Sequence, residues 1–262
     1  MKLTIIGAGN IGGAIANGLT NSTIIKASDI TCSDLSPQAL DKIHQMSPAI
    51  RTTSDNKKAI KNADLIIIAV KPWLLKNVCE EIKTELDYKK QIVISIVAGV
   101  TFEQLSQLLS NDSDVPVMFR LVPNTAIDVK SSMTFIAAQN ATKEQIDLII
   151  NIFNELGSAM FVEERLMVAG TALASCGIAY AFRYIHAATE GGVELGFYPE
   201  EAQSIVLQTL QGAINLLKAK GTHPEEEINK VTTPGGITIK GLNEMEHAGF
   251  TSAVIKGIKA GK

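Results

Sequence analysis

Leu3-Thr4-Ile5-Ile6-Gly7-Ala8-Gly9-Asn10-Ile11-Gly12 is the stretch that decides the fold. A short apolar strand runs into a G-x-G-x-x-G turn, and a helix-compatible segment opens near Asn10 and Ile11. The residue types suit a dinucleotide. Gly7 permits the tight turn, Gly9 lets the backbone approach a pyrophosphate, and Gly12 permits close helix–strand packing. The amides at the helix start would face the phosphates.

Outward from this motif, short apolar runs alternate with amphipathic segments. Strands are expected at Leu3–Ile6, Ile30–Ser33, Leu65–Val70, Ile92–Val97, Val117–Val122 and Met133–Ala137, with helices starting near Asn10, Pro37, Trp73, Thr101 and Thr142. Several of the runs are continuous rather than alternating, as in strands covered on both faces. The pattern predicts a Rossmann-type, doubly wound parallel α/β sheet. Beyond about Glu163 the strand signals stop. Helical spacing takes over from Leu166 to Leu195, then Glu200 to Lys220, Thr238 to Ala248 and Thr251 to Ile258. The expected organisation is a dinucleotide-binding domain over 1–162 and an all-helical domain over 163–262.

Composition narrows the function classes. The chain has 262 residues, 46% of them hydrophobic and 19% charged, with a net charge of -3. With a pI near 5.9 it offers no basic surface for nucleic acid. Mean hydropathy is +0.17, yet no uninterrupted apolar run approaches the roughly 18–20 residues that span a bilayer. No membrane partner is expected, and the excess apolarity points to subunit interfaces. Three scattered cysteines form no CxxC pair, which favours a reducing, cytoplasmic compartment. His44, His186, His223 and His247 lack metal-ligand spacing, so no metal site is expected. Glu225–Glu227 reads as a solvated helix start.

Candidate ligand residues cluster at the expected strand ends. Ser33 and Asp34 close the second strand, where ribose selectivity is set. Asp34 there suits a ribose hydroxyl, whereas Ser33, Lys57 or Lys58 could serve a phosphate. Ala69-Val70-Lys71-Pro72 and Ala98-Gly99 end later strands on the same edge, and Asn124 follows another. In the helical half, Thr233-Pro234-Gly235-Gly236-Ile237-Thr238 sets threonine hydroxyls about a Pro-Gly-Gly turn that enters a helix. Such a turn is ordinary as a loop, but as a ligand seat its glycines and helix-start amides suit a small carboxylate.

Taken together, GAGNIG, TTSDNK, AVKP, VAGVT, RLVPNT, SCGIAYAF and VTTPGGITIKGLNEMEHAGF resemble the pyrroline-5-carboxylate reductase family essentially end to end. The resemblance implies a helical dimerisation domain, homodimers that in relatives assemble further into rings, and NADPH or NADH as cofactor. It implies cofactor contacts at Gly7, Gly9, Asn10, Ile11, Gly12, Asn56, Ala69, Lys71 and Pro72, and substrate contacts at Thr233, Gly235, Gly236 and Thr238. It also implies hydride transfer to the imine carbon of 1-pyrroline-5-carboxylate, giving L-proline. The carboxylate would rest on the amides of Gly235 and Gly236, with Thr238 the residue closest to catalysis. Three departures stand out. Ala126 replaces a usual proline, Ser175 a glycine and Ile178 a proline. Leu35 also stands where relatives often carry an arginine near the 2′-phosphate. Two alternatives are a related imine or β-hydroxy-acid reductase and a non-catalytic dinucleotide-binding regulator. For the former, Lys218 and Lys220 are poor acid/base candidates.

Overall fold

The computed structural model describes residues 1–111 and 113–262. They form two compact units, Met1–Ser175 and Cys176–Lys262. In the first, eight strands make one sheet: β1 (Leu3–Ile6), β2 (Ile30–Ser33), β3 (Arg51–Thr53), β4 (Leu65–Ile68), β5 (Ile92–Ser95), β6 (Val117–Val122), β7 (Ser132–Gln139) and β8 (Gly157–Phe161). Their order is β3-β2-β1-β4-β5-β6-β7-β8. The helices of this unit are α1 (Asn10–Gly18), α2 (Pro37–Met46), α3 (Asn56–Ile60), α4 (Leu75–Lys83), α5 (Phe102–Leu109), α6 (Lys143–Asn154) and α7 (Met167–Gly170).

Local chemistry places the helix starts. Ser36 accepts from the Ala39 amide ahead of α2, and Thr101 and Thr142 form reciprocal capping boxes with Gln104 and Gln145. The apolar runs of β1, β4 and β5 are buried throughout, as strands covered on both faces require.

Three expectations change. β3 and β8 carry no strong apolar run, and both lie at the sheet's edges. The sheet is not wholly parallel, because β7 pairs antiparallel to β6. Only a 3₁₀ turn, Thr125–Val129, joins them, and a parallel pair would need a crossover of about a dozen residues. β4 and β5 stop at Ile68 and Ser95, leaving Ala69–Pro72 and Ile96–Gly99 as loops. The first compact unit ends at Ser175. Met167 is 1% exposed within its core. Glu164 pairs with Arg120 of β6 and also accepts from the Phe102 amide. Gly170 lies so near Phe135 that a Cβ would meet the ring at 2.7 Å.

All three cysteines are free thiols. Burial pushes Cys32 and Cys79 up to about 12, with the Asp34 and Glu80 carboxylates adding to the respective shifts. A thiolate is the reactive form. At pH 8 a thiol reagent should therefore modify no more than Cys176 in the native protein and all three after unfolding. Mass spectrometry of the labelled chain checks this.

The second unit is all helix: α8 (Gly177–Glu194), α9 (Pro199–Lys220), α10 (Pro224–Val231), α11 (Ile237–His247) and α12 (Phe250–Ala260). α8 packs on α9 at Gly192, where a Cβ would come within 2.9 Å of the Ala202 Cβ. Tyr184 meets Phe250 edge to face, with ring centroids 6.4 Å apart. Glu227, near the start of α10, bonds Lys230, Thr222 and Lys220, so the acidic run is partly tied down. Ala202 is the only buried hydrophobic residue of this unit among the described residues. By length and composition alone Glu164–Glu194 could cross a bilayer, its 18-residue window having mean hydropathy 1.4, a test that the core helix of a soluble protein also passes. Its small residues and scattered polar ones hide that length from a search for unbroken apolar runs.

Candidate functional site

β1, β2, β4, β5 and β6 run parallel, so the residues after their carboxyl ends share one edge of the sheet. That edge reverses order between β1 and β4, the switch point where such sheets take ligands. Gly7 has φ +102, and its amide donates to the Ser33 carbonyl at 2.7 Å. A Cβ on Gly7 would lie 2.6 Å from the Ala69 carbonyl oxygen, and one on Gly12 would lie 1.9 Å from that of Gly7. Both glycines are thus required by packing. Gly9 is not, since a Cβ there meets nothing within 4 Å and its backbone is extended at φ -69. The space above Gly9 is open. Gly9 and Asn10 are exposed and Ile11 is half-buried, and no side chain caps α1, so the helix-start amides are open to an anion.

Asp34 is fixed rather than free. One carboxylate oxygen accepts from the Ala8 amide at 2.7 Å and the other from the Ser36 amide at 2.8 Å. Ser33 is fully buried, and its hydroxyl donates to Asn56 Oδ1 at 2.7 Å. Asn56 Nδ2 in turn donates to Glu81 at 2.7 Å. The Ser33–Asn56–Glu81 chain fixes the amide's orientation behind the loop. Glu81 had no sequence signal, because its partner is 25 positions away. Lys57 and Lys58 engage Glu85 at 4.0 Å and Asp55 at 3.4 Å. Ala69 and Val70 are half-buried. Lys71, Pro72, Ala98 and Gly99 are exposed on the same edge. A cleft of about 590 Å³ touches the loop at Ala8, Gly9 and Asn10, then runs along α2 past Lys42. It marks one flank of the loop and does not reach Ala69–Pro72.

Asn124 is committed within its own unit. Its Oδ1 accepts from the Ala126 amide at 3.0 Å and its Nδ2 donates to the Ala174 carbonyl at 3.4 Å. The Ala126 departure thus supplies an N–H that proline lacks. Ser175 ends a π-helical turn, Thr171–Ser175, and donates to the Pro123 carbonyl at 2.9 Å. This hydroxyl ties the turn to the loop after β6, a bond that glycine could not make. Ser175→Ala should cost about 1 kcal/mol, read as a lowered midpoint in urea unfolding.

In the second unit, Thr233-Pro234-Gly235-Gly236 forms a type II turn. Gly235 has φ +73 and the Gly236 amide donates to the Thr233 carbonyl at 2.9 Å. A Cβ on Gly236 would sit 2.6 Å from Thr233 Oγ1. The Gly236 amide is therefore spent on the turn and is not free for the carboxylate expected on it. Gly236 caps α11 without a side-chain bond, leaving the amides of Ile237, Thr238 and Ile239 without helical partners. Thr238 is exposed, and its hydroxyl has no hydrogen bond among the described residues. Proline at the second turn position and glycine at the third mark this turn type from sequence alone.

Comparison with known proteins adds the identity of this arrangement. Residues 164–262 match the pyrroline-5-carboxylate reductase dimerisation model, and residues 2–99 match NADP oxidoreductase, coenzyme F420-dependent. Pyrroline-5-carboxylate reductase 2 of Dictyostelium discoideum is 39% identical over 98% of this chain and 89% of its own length. Pyrroline-5-carboxylate reductase 1 of the same organism is 38% identical over 98% of this chain, which spans about half, 48%, of that protein. The crystal structure of Plasmodium falciparum pyrroline carboxylate reductase with NADP bound superposes with a TM-score of 0.88 at 26% identity, covering 100% of this chain and 95% of that one. An NAD(P)H-binding Rossmann unit followed by this helical segment, with that identity along nearly the whole length, places the chain in the pyrroline-5-carboxylate reductase family.

Proposed function

We propose that the chain reduces 1-pyrroline-5-carboxylate to L-proline with NAD(P)H, the last step of proline synthesis. The observation that carries this reading is the start of α11, where unpaired amides and the free Thr238 hydroxyl stand side by side. The first-turn amides of α11 hold the substrate carboxylate by charge-assisted bonds. Thr238 Oγ1 donates to the carboxylate or meets the ring nitrogen. Thr233, Gly235 and Gly236 hold the turn that presents these groups. Gly7, Gly9, Asn10, Ile11 and Gly12 seat the pyrophosphate, with Asp34, Asn56, Ala69–Pro72, Ala98 and Gly99 around it.

When bound, the reduced nicotinamide supplies a hydride. Delivered to the carbon of a protonated imine, it would turn the C=N π pair into the amine lone pair, and solvent would supply the further proton that the product amine takes up. A protonated imine is already electrophilic, so the side chains act by positioning. Near-attack geometry at about 3–3.5 Å is worth several kcal/mol.

The helical unit supports a homodimer. Leu195, Tyr198 and Phe182 are exposed at 84%, 76% and 60%, and Ala202 is the only buried hydrophobic residue of the unit among the described residues, so an interface with a second copy would supply the cover that the unit lacks. Larger rings of dimers and a cytoplasmic location complete the reading, the latter supported by three unbridged thiols. Light scattering gives the assembly size.

Loss of nicotinamide absorbance on adding pyrroline-5-carboxylate, with proline formed in equal amount, is the expected result. Cofactor binding with no turnover would instead support the regulator, and turnover restricted to another imine or a β-hydroxy acid would support the related reductase.

A further inference from the structure

We propose that Asp34 makes this chain selective for NADH over NADPH, an inference that rests on the NAD(P)H reductase reading above. The carboxylate is bound at one oxygen by the Ala8 amide of the glycine loop, one residue before Gly9. That places its charge at the ribose end of the pyrophosphate seat. The second bond, from the Ser36 amide, stops the side chain swinging away. Each oxygen retains lone-pair capacity for a ribose hydroxyl. A 2′-phosphate would instead bring its own negative charge against a carboxylate that cannot move.

Apart from Lys42, the groups that could reward that phosphate are spent or absent. Ser33, the nearest hydroxyl in sequence, is fully buried and donates to Asn56. Lys57 and Lys58 are ion-paired with Glu85 and Asp55. The exposed position next to Asp34 is Leu35, 82% exposed, with no planar cation to grip a phosphate. Lys42 lines the cleft on the α2 side of the loop, with no ion-pair partner among the described residues. A like charge fixed within several ångströms, at an effective dielectric constant of about 20, gives discrimination on the order of 30-fold.

Binding and turnover separate this inference from the catalytic reading. The single tryptophan, Trp73, is 74% exposed and follows Pro72 directly, so quenching of its emission reports cofactor binding without any substrate. The native enzyme should bind NADH about 30-fold more tightly than NADPH. Asp34→Asn, which removes the charge along with one of the two acceptor oxygens, should shrink that ratio to less than about threefold. Leu35→Arg should tighten NADPH binding at least about tenfold, with NADH binding little changed.

Equal or tighter NADPH binding by the native protein overturns the inference, as does an unchanged ratio in Asp34→Asn. Should Asp34→Asn fail to fold, the native ratio and Leu35→Arg decide. Tight NADH binding without pyrroline-5-carboxylate turnover would sink the catalytic reading and leave the selectivity standing. Equal turnover with both cofactors, at equal affinity, would do the reverse.

Discussion

Gly9→Ala should lower cofactor affinity about 100-fold while leaving the protein folded. At Gly9 the backbone is extended and a Cβ meets nothing within 4 Å. Alanine therefore fits the fold, with a cost below about 1 kcal/mol from its poorer fit at a helix cap. Once a pyrophosphate is seated, the new methyl occupies the space through which it approaches the loop amides. Losing one or two charge-assisted bonds accounts for a factor of about 100. Gly12→Ala is the control. Its Cβ would overlap the Gly7 carbonyl oxygen at 1.9 Å, so this variant should lose stability first and affinity only as a consequence. Trp73 quenching gives the affinities and thermal unfolding the stabilities. An unchanged affinity in a folded Gly9→Ala protein would remove the pyrophosphate from this loop.

The contrast between those glycines shows how far the residues could be read before any coordinates. G-x-G-x-x-G after an apolar run announces the turn and the helix. It does not say which glycines packing requires, because Gly7 is held by Ala69, brought alongside by β4, and Gly12 by the Gly7 carbonyl once the turn has formed. The starts of α2, α5 and α6 were legible because their caps lie within three residues of the helix. β3 and β8 were not, since short edge strands need no continuous apolar run. The commitments of Ser33, Asp34 and Asn56 were equally hidden. Each is decided by a partner from a different element, and residue type alone offers a hydroxyl or carboxylate equally to cofactor or to fold. The Pro-Gly-Gly turn lies between these cases. Its Pro-Gly-Gly residues announce a turn, but the reading from sequence left the Gly236 amide to a carboxylate, and only the folded turn shows it bonded to the Thr233 carbonyl.

Thr238 carries the other large effect. Its hydroxyl stands exposed in the first turn of α11 with no partner among the described residues, so removing it takes nothing from the fold, and Thr238→Ala should unfold at the native temperature to within a few degrees. What it removes is a donor beside amides that already favour an anion. A hydrogen bond to a charged group is worth about 1.5–3 kcal/mol, or roughly 10- to 150-fold in kcat/KM. If the hydroxyl binds the carboxylate in ground and transition states alike, the loss falls on KM. If it meets the ring nitrogen as charge leaves the imine, the loss falls on kcat as well. Steady-state rates with pyrroline-5-carboxylate varied at saturating cofactor separate the two. Thr238→Ser retains the hydroxyl and should recover most of the lost activity, whereas a role confined to packing by the methyl group would not recover. An unaltered kcat/KM in Thr238→Ala would take this residue out of the reaction and leave the carboxylate to the α11 amides alone.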